Sequence, residues 1–373
     1  MWLILSLASV PTTPAVSLAQ ASWWVDPTPE LSIGQAAGPQ VELFQSVRFA
    51  RFLPQGGVVV ADGGAVEIRL YGRDGTFRET MGRRGQGPGE FSDIRGLWIT
   101  PDGGVGVWDP ANRRVTTFNA DGSLGESRMV AGGDGGNLEV FFGAFPDGSV
   151  LLGSLRLGPR ERGIVPDLWG LFRVDPQGTI KAGLGDVRGM WRFDRQPVPF
   201  SPLPRVAVQR RSLLVADDYG AEIAVWDQKG AEATRIRLPV GPNPASEPAW
   251  RALEAELEAR GETLRLEILR EGRVPQGGRF PTLGGILVDD RDRIWVKIYD
   301  PRQDALWLQR EVMLPGPGGV WRVLDPRGRA LGEARIPDGV RPLWIEGDRI
   351  LGISEDVWGI QRVVVHRFRG GPG

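Results

Sequence analysis

Short runs of alternating apolar and polar residues occupy most of this chain, and Gly- and Asp-rich turns separate them. The clearest stretch, Ile94 to Val130, contains three such runs and a fourth after its last turn. Alternation with a period of two is typical of β-strands, and turns of this composition join antiparallel neighbours. The stretch therefore predicts one four-stranded antiparallel sheet.

The same unit recurs along the chain. Asp62 and Asp109 take matching places in its first two copies, about 47 residues apart. Repeats of roughly 40 to 50 residues are typical of propeller blades, because a sheet with two apolar faces must stack against copies of itself. Six copies can be counted, and the predicted blades span about residues 47–81, 94–130, 139–184, 205–238, 283–336 and 341–369.

The predicted fold class is therefore all-β: a six-bladed β-propeller of four-stranded antiparallel blades, which fills residues 22–373 as one domain. A lone short strand at residues 31–33 has no blade of its own. In closed propellers a strand from one terminus can complete the blade made by the other, so we expect residues 31–33 to close the ring on the last blade.

One segment changes from strand to helical spacing. In residues 246–271, Trp250, Leu253 and Leu257 fall on one helical face, with glutamates opposite. Ser246 is suited to cap the N-terminus. The segment predicts one short amphipathic helix, inserted between blades four and five and ending at Arg260 and Gly261.

Two further segments interrupt the repeat. Residues 186–204 are rich in Pro and aromatic residues and predict an irregular loop, and residues 159–166 form an insertion in the third blade. The helix and the Pro-rich loop both fall where the outermost strand of one blade passes to the innermost strand of the next. We therefore expect them to decorate the same end of the ring.

Charge and composition narrow the possible chemistry. With 45 basic and 46 acidic side chains, the chain has no overall field that would attract nucleic acid or an anionic membrane. The absence of cysteine excludes disulfides, thiolate zinc sites and thiol nucleophiles. The single histidine, His366, lies in the last predicted strand and is expected to be structural, which argues against a Ser-His-Asp triad. Any catalysis would rest on carboxylates, arginines or a metal bound through oxygen.

The N-terminus has features of a secretory signal peptide. Its apolar start is too short to span a bilayer, and small residues precede Ala21. We therefore expect residues 1–21 to direct export to the periplasm or beyond; a disordered tail or a misassigned start codon is the alternative. No other stretch reaches the roughly 20 uninterrupted apolar residues that a membrane span needs.

Residues 82–91 read G-R-R-G-Q-G-P-G-E-F, and A-D and D-G pairs recur around them. With the later run P-T-L-G-G-I-L-V-D-D-R-D-R-I-W-V, this pattern resembles the NHL-type and TolB-like propellers, and most closely the bacterial six-bladed β-propeller proteins. The resemblance covers nearly the whole chain after the predicted signal and implies the fold. It leaves the function open, because similar proteins include binding modules, lactonases and lyases. The acidic metal-site pattern of gluconolactonase-like propellers is not recognisable here.

The same glycine-rich segment offers Arg83 and Arg84 as candidate ligand-binding residues. Glycine-rich loops cradle phosphate where they open a helix, but this one leads into a strand. The alternative is that its glycines allow a tight crossing from the rim to the axis, with Phe91 packed between blades.

Aspartates follow the second strand of three blades, at Asp62, Asp109 and Asp217. Aspartate readily accepts hydrogen bonds from backbone amides, so we expect these residues to pin the loop between the second and third strands. A ring of carboxylates could instead bind Ca²⁺, but Ser154 and Ser354 take the equivalent positions in blades three and six. The sequence therefore predicts no cofactor, and the alternative is a Ca²⁺ ion bound by these aspartates.

Registering the innermost strands on their P-D-G turns brings arginines from several blades to one position. These are Arg48, Arg95 and Arg341 in blades one, two and six, with Arg205 within one residue of the same place in blade four. Trp98 and Trp344 coincide three residues farther in. Such arginines would surround one mouth of the channel and bind a carboxylate or phosphate, with the tryptophans as an apolar wall.

A structural role for these arginines is the competing interpretation. Each could pair with an acid of a neighbouring blade, such as Glu90 or Asp93, and staple the blades together. Trp191, Arg192 and Arg195 lie at the same end and could extend a ligand site.

The function we favour is that of an exported, monomeric binding protein. It would recognise an acidic small molecule or protein partner at one end of the channel, partly covered by residues 246–271. The alternative is a metal-dependent hydrolase or lyase, similar to lactonases, that uses blade carboxylates and Ca²⁺. A scaffold for other envelope proteins is the third possibility.

Overall fold

The computed structural model describes residues 21–131, 137–156, 163–193, 196–241, 243–271, 278–305 and 314–371. The predicted signal peptide, apart from Ala21, lies outside the described residues. Arg195 and the first part of the insertion at residues 159–166 lie outside them as well.

Strands dominate the described chain, as the alternating sequence pattern predicts. The first strands are β1 (Ala21–Val25), β2 (Leu31–Ile33), β3 (Val47–Phe52), β4 (Val58–Asp62), β5 (Glu67–Tyr71), β6 (Phe77–Met81), β7 (Arg83–Arg84), β8 (Glu90–Phe91), β9 (Gly96–Ile99), β10 (Val105–Asp109), β11 (Arg114–Phe118) and β12 (Leu124–Met129). Next come β13 (Leu138–Ala144), β14 (Val150–Arg156), β15 (Ile164–Val174), β16 (Ile180–Phe193), β17 (Gln196–Pro197), β18 (Arg205–Gln209), β19 (Ser212–Ala216), β20 (Glu222–Trp226) and β21 (Glu232–Arg237). The last are β22 (Leu283–Val288), β23 (Ile294–Ile298), β24 (Gly319–Leu324), β25 (Ala330–Ile336), β26 (Val340–Glu346), β27 (Arg349–Glu355) and β28 (Gln361–Gly370).

Four sheets consist of strands in chain order, each strand beside the next. They are β3 to β6, β9 to β12, β13 to β17 and β18 to β21. Glycine makes the tight turns between their strands possible: Gly122 and Gly230 both have φ of 84°, a conformation that a side chain would strain.

A fifth, nine-stranded sheet contains both ends of the described chain. Its order is β22-β23-β24-β25-β1-β28-β27-β26, with β2 also paired to β28. β1 is parallel to β25 and antiparallel to β28, and in β2 Leu31 lies opposite Val365. Because β1 joins two groups of strands into one sheet, the sheets alone do not separate six blades, and that count stays a prediction.

The sheets have a propeller-like arrangement. Four of the sheets begin with β3, β9, β13 and β18, and the nine-stranded sheet has β22 and β26 at its two ends. In the order β3, β9, β13, β18, β22, β26, each strand contacts the next, and β26 contacts β3. Apolar side chains fill the space between neighbouring sheets, as where Val59 and Ile68 pack with Leu97 and Val107. The six strands therefore surround a common axis.

The helical insertion is longer than predicted. The helices are α1 (Glu247–Ala259), α2 (Thr263–Arg270) and the single turn α3 (Pro301–Asp304), with a 3-10 turn at Gln40–Glu42. The prediction of one helix was wrong, because a second helix follows the break at Gly261, where φ is 69°. Trp250, Leu253 and Leu257 are buried, as their spacing predicts, but Ser246 makes no side-chain capping hydrogen bond. Within the described residues, no helix has the length and apolar character that crossing a membrane requires.

The prediction of an irregular loop at residues 186–204 was also wrong in part. β16 continues to Phe193 and pairs with β15, so that Ile164 lies opposite Phe193. Within the described residues, Ile164 to Pro166 of β15 lie opposite Trp191 to Phe193, and the two strands satisfy each other's backbone hydrogen-bonding groups there.

Trp23 provides a test of the position of β1. Its side chain is 3% exposed, and its ring centroid lies 6.1 Å from that of Trp295. We expect Trp23→Ala to lower the free energy of unfolding by about 3–5 kcal/mol, because it leaves a cavity between strands. Equilibrium urea unfolding measures this loss.

The neighbouring Trp24 is the matched control, since its side chain is 51% exposed. Trp24→Ala should cost less than about 1 kcal/mol. Equal losses in the two variants would contradict the placement of β1.

Candidate functional site

The six innermost strands enclose a cavity of about 670 Å³. This volume lies within the range of roughly 300–1,000 Å³ that is usual for small-molecule sites. The charged residues of its wall are Arg48, Arg51, Arg95, Glu139, Arg210, Asp289, Asp290, Asp292 and Glu346. The remaining described residues of the wall are aliphatic, aromatic, Pro or Gly; none is Ser, Thr, Asn, Gln, Tyr or His. The cavity is therefore apolar, with a few cations and carboxylates.

Aromatic rings pack against one another in one part of the cavity wall. Trp98 stacks on Phe141 with ring centroids 5.3 Å apart and an interplanar angle of 18°, and Phe49 meets Phe141 edge-on. Gly106 on the adjacent strand makes room for Trp98, because a Cβ there would lie 2.1 Å from the indole ring. The predicted residue Trp98 is thus part of a fixed apolar wall.

Arg51 is the next-to-last residue of β3 and borders the cavity. Its guanidinium carbon is 4.7 Å from the ring centroid of Trp344, and Nη1 donates a hydrogen bond to the carbonyl oxygen of Ala50 at 2.8 Å. Burial lowers the pKa of Arg51 to about 10, which leaves the group charged at neutral pH. No carboxylate among the described residues forms an ion pair with it.

The sequence analysis missed Arg51, although the same alignment contained it. Arg51 follows Arg48 by three residues, as Trp98 follows Arg95 and Trp344 follows Arg341. Blades two and six have tryptophan at this aligned position, whereas blade one has Arg51.

Arg48 and Arg95 lie together at the end of the cavity where the innermost strands begin, and both contact Asp93. Arg48 Nη1 is 2.7 Å from one carboxylate oxygen of Asp93, and Arg95 Nε is 2.7 Å from the other. Arg48 also donates to the carbonyl oxygen of Ile94 at 3.2 Å. Arg48 therefore links its own sheet to the next. This is the geometry expected from the structural interpretation, in which the arginines staple neighbouring blades together.

Carboxylates and one arginine lie at the opposite end, where the innermost strands turn back. Arg210 forms an ion pair with Asp292. Burial raises the pKa of Asp292, although the charge of Arg210 acts in the opposite direction. Glu346 accepts a hydrogen bond from the indole nitrogen of Trp344 at 3.2 Å, which fixes the ring beneath Arg51.

The other two predicted arginines do not line the cavity. Arg205 is 5% exposed and donates to the carbonyl oxygen of Leu314 at 3.2 Å. Burial lowers the pKa of Arg205 to about 10, Asp304 opposes that shift, and the nearby charge of Arg341 adds to it. Arg205 and Arg341 thus belong to a buried charged cluster with Asp304.

Lys297 completes this cluster. Its ammonium group is 2.7 Å from the Asp304 carboxylate and 3.0 Å from the carbonyl oxygen of Pro317. Burial lowers the pKa of Lys297, and Asp304 opposes the shift. Since Asp304 ends α3, the pair fixes α3 against the segment that leads to β24.

The remaining candidates lie away from the cavity. Arg83 is exposed and pairs with Glu90, and Arg84 donates to the carbonyl oxygen of Gly64. In the long hairpin, Arg192 pairs with the buried carboxylate of Asp167 at 2.6 Å. None of these residues contributes to the cavity wall.

The blade aspartates hold loops, as expected. Asp62 accepts hydrogen bonds from the backbone amides of Ser46 and Gly64, and Asp109 accepts from those of Ser92 and Asn112. Asp217 accepts a hydrogen bond from the backbone amide of Arg188 and also forms an ion pair with its side chain, so it holds β16 rather than the loop after its own strand. No group of three or more His, Cys, Asp or Glu that could hold a metal occurs within the described ranges, so the Ca²⁺ alternative gains no support from them.

Comparison with known proteins identifies the fold alone. No protein-family model matches the sequence, and no curated protein does. A solved member of the DUF4221 family from Bacteroides vulgatus gives a TM-score of 0.53 at 10% identity, over 95% of this chain and 99% of that chain.

Two further solved structures have lower scores. A candidate exported protein from Bacteroides fragilis gives 0.49 at 11% identity, over 93% of this chain and 99% of that chain. A gluconolactonase from Xanthomonas campestris gives 0.45 at 13% identity, over 92% of this chain and 100% of that chain. Fold similarity at this level carries no information about activity.

Removal of Lys297 tests the buried cluster. The side chains of Lys297 and Asp304 have no exposed surface. We expect Lys297→Met to lower the free energy of unfolding by about 3–5 kcal/mol in urea titrations, because the Asp304 charge loses its closest cation in a buried site.

The double variant Lys297→Met with Asp304→Asn is the control. It should lose less stability than Lys297→Met alone, because asparagine is uncharged and can still accept from the backbone amide of Asp300, as Asp304 does. A double variant less stable than the single would show that charge burial is not the cause.

Proposed function

We propose that this protein is an exported binding protein whose central cavity takes an acidic small molecule. The observation that carries the proposal is Arg51, a cation in an apolar cavity wall with no carboxylate partner among the described residues. A charged group in such a place is costly unless a counter-charge reaches it, and a bound carboxylate provides one.

The geometry of Arg51 suits this role. A guanidinium has five N–H donors in a planar fork, and the hydrogen bond of Arg51 to the carbonyl oxygen of Ala50 uses only Nη1. The ring of Trp344 supports one face of the fork and restricts its orientation. An anion in the cavity can therefore meet preorganised donors, which lowers the entropic cost of binding.

The arginines at the two ends are less suited to primary recognition. Arg48 and Arg95 share Asp93, and Arg210 is paired with Asp292. A ligand would have to displace these carboxylates before it could bind the same donors. In our proposal these arginines determine the charge distribution at the two ends of the cavity, and Arg51 binds the acidic group of the ligand.

The proposal includes a closed ring of six blades. In it, β22 to β25 form the fifth blade, and β26 to β28 with β2 form the sixth. β1 would be an additional strand between these two blades. The closed cycle of contacts among the six innermost strands supports this count.

Export is inferred from the sequence. The apolar start of the chain and the small residues before Ala21 are typical of a cleaved signal peptide. We propose a periplasmic or extracellular location for the mature protein, and a monomer as its state.

Replacement of Arg51 tests the binding proposal. We expect a panel of small organic acids to raise the melting temperature of the protein, and isothermal titration calorimetry to give a measurable affinity for at least one of them. Arg51→Met should weaken that affinity by about 10- to 100-fold, the effect of losing a charge-assisted hydrogen bond.

Arg78→Met is the matched control, because Arg78 is an exposed arginine in the outermost strand of the same sheet. Its affinity for the acid should equal that of the unmodified protein. Binding that survives Arg51→Met unchanged would refute the proposed role of the cavity.

A further inference from the structure

We infer that the ligand is a carboxylic acid with a flat, aromatic body and a single negative charge, and that it is neither a sugar acid nor a phosphate. This inference rests on the proposed function and narrows the class of ligand for the same cavity. Three properties of the wall lead to it.

The first property is the lack of hydroxyl and amide side chains among the described wall residues. A sugar acid carries a hydroxyl on nearly every carbon, and each would leave water for a wall whose polar side chains are all charged groups, most of the arginines among them already paired with carboxylates. Sites that recognise hydroxyl groups provide fixed polar groups for them. This wall instead favours a ligand whose body has no polar groups to satisfy.

The second property is the aromatic character of part of the wall. Trp98 and Phe141 are nearly parallel, and the Trp344 ring lies under the guanidinium of Arg51. Aromatic rings pack well on such surfaces in stacked or edge-on arrangements. In this inference, a fused ring system packs on the exposed edges of these rings while its carboxylate meets Arg51.

The third property is the charge balance of the cavity. Arg51 is the cation without an ion-pair partner among the described wall residues, whereas Arg48, Arg95 and Arg210 contact carboxylates. One cation matches one carboxylate in a bidentate pair. A phosphate dianion would bring a second negative charge near Glu346 and the other wall carboxylates, and the described part of the wall offers no second unpaired cation to neutralise it.

Calorimetric titration of the whole chain with matched probes tests the inference. The probes are 2-naphthoate, its uncharged analogue 2-naphthalenemethanol, decanoate, gluconate and inorganic phosphate. We expect 2-naphthoate to bind at least tenfold more tightly than each of the others. Arg51→Met should reduce its affinity at least tenfold, while Arg78→Met should leave it unchanged.

Trp344→Leu separates flat from flexible bodies. It keeps an apolar wall but removes the ring, so it should weaken 2-naphthoate more than decanoate. Trp24→Leu, at an exposed tryptophan far from the cavity wall, should change neither affinity. Melting temperatures of all variants confirm that each is folded before its affinity is compared.

The outcomes separate the inference from the function on which it rests. If gluconate, phosphate or decanoate binds as tightly as 2-naphthoate and the binding depends on Arg51, the ligand class is wrong and the binding function stands. If 2-naphthalenemethanol matches 2-naphthoate, the requirement for the acid is wrong. If no acid binds, or Arg51→Met has no effect, both the function and the inference are overturned.

Discussion

The interior strands of this protein are buried on both faces, and the rest of the structure depends on that constraint. All five residues of β4 are buried, and so are all five of β10. A sheet of this kind needs another sheet against each face, and a cycle of sheets satisfies every member without leaving an apolar face in water. The innermost strands also have side chains that face the common axis instead of a neighbouring sheet, and these side chains line the cavity. The cavity is thus a geometric result of packing, and its chemistry is set by the few residues on that inner surface.

Local pattern predicted most of the strands and turns, because alternation and turn residues act over a few positions. The D-G turns and the apolar face of α1 follow directly from residues such as Gly122 and Trp250. The errors involve long-range pairing. Residues 186–193 carry no strong strand pattern of their own, and they become a strand because β15 lies beside them. The position of β1 between β25 and β28 depends in the same way on partners that are some 300 residues away.

The candidate site could be predicted in part. Alignment of repeats correctly directed attention to the positions of Trp98 and Trp344, which line the cavity, and raised Asp93 as a partner for the arginines. It could not show that Arg205 would be buried with Asp304, since α3 comes from a different part of the chain. Arg51 was overlooked because a search for repeated residues passes over the one repeat in which the residue differs. In a repeat protein that has lost its symmetry, specific chemistry is expected at such exceptions.

The electrostatics of the cavity differ from those of a strongly charged binding cleft. Basic and acidic side chains nearly balance over the whole chain, and arginines pair with carboxylates at each end of the cavity. Long-range attraction of a charged ligand is therefore weak. Selection would take place after entry, where an apolar wall and one oriented guanidinium distinguish among molecules of similar charge.

The arrangement of β1 and β2 has a consequence for how the molecule is made. β1 pairs with β25 and β28, and β2 pairs with β28, so neither strand has its partners until residues more than 300 positions later have been made. The sheets of the middle region can form earlier, while their ends are still apart. Completion of the fold therefore depends on the meeting of segments that are far apart in the sequence, and the loss of chain entropy on that closure contributes to the folding barrier.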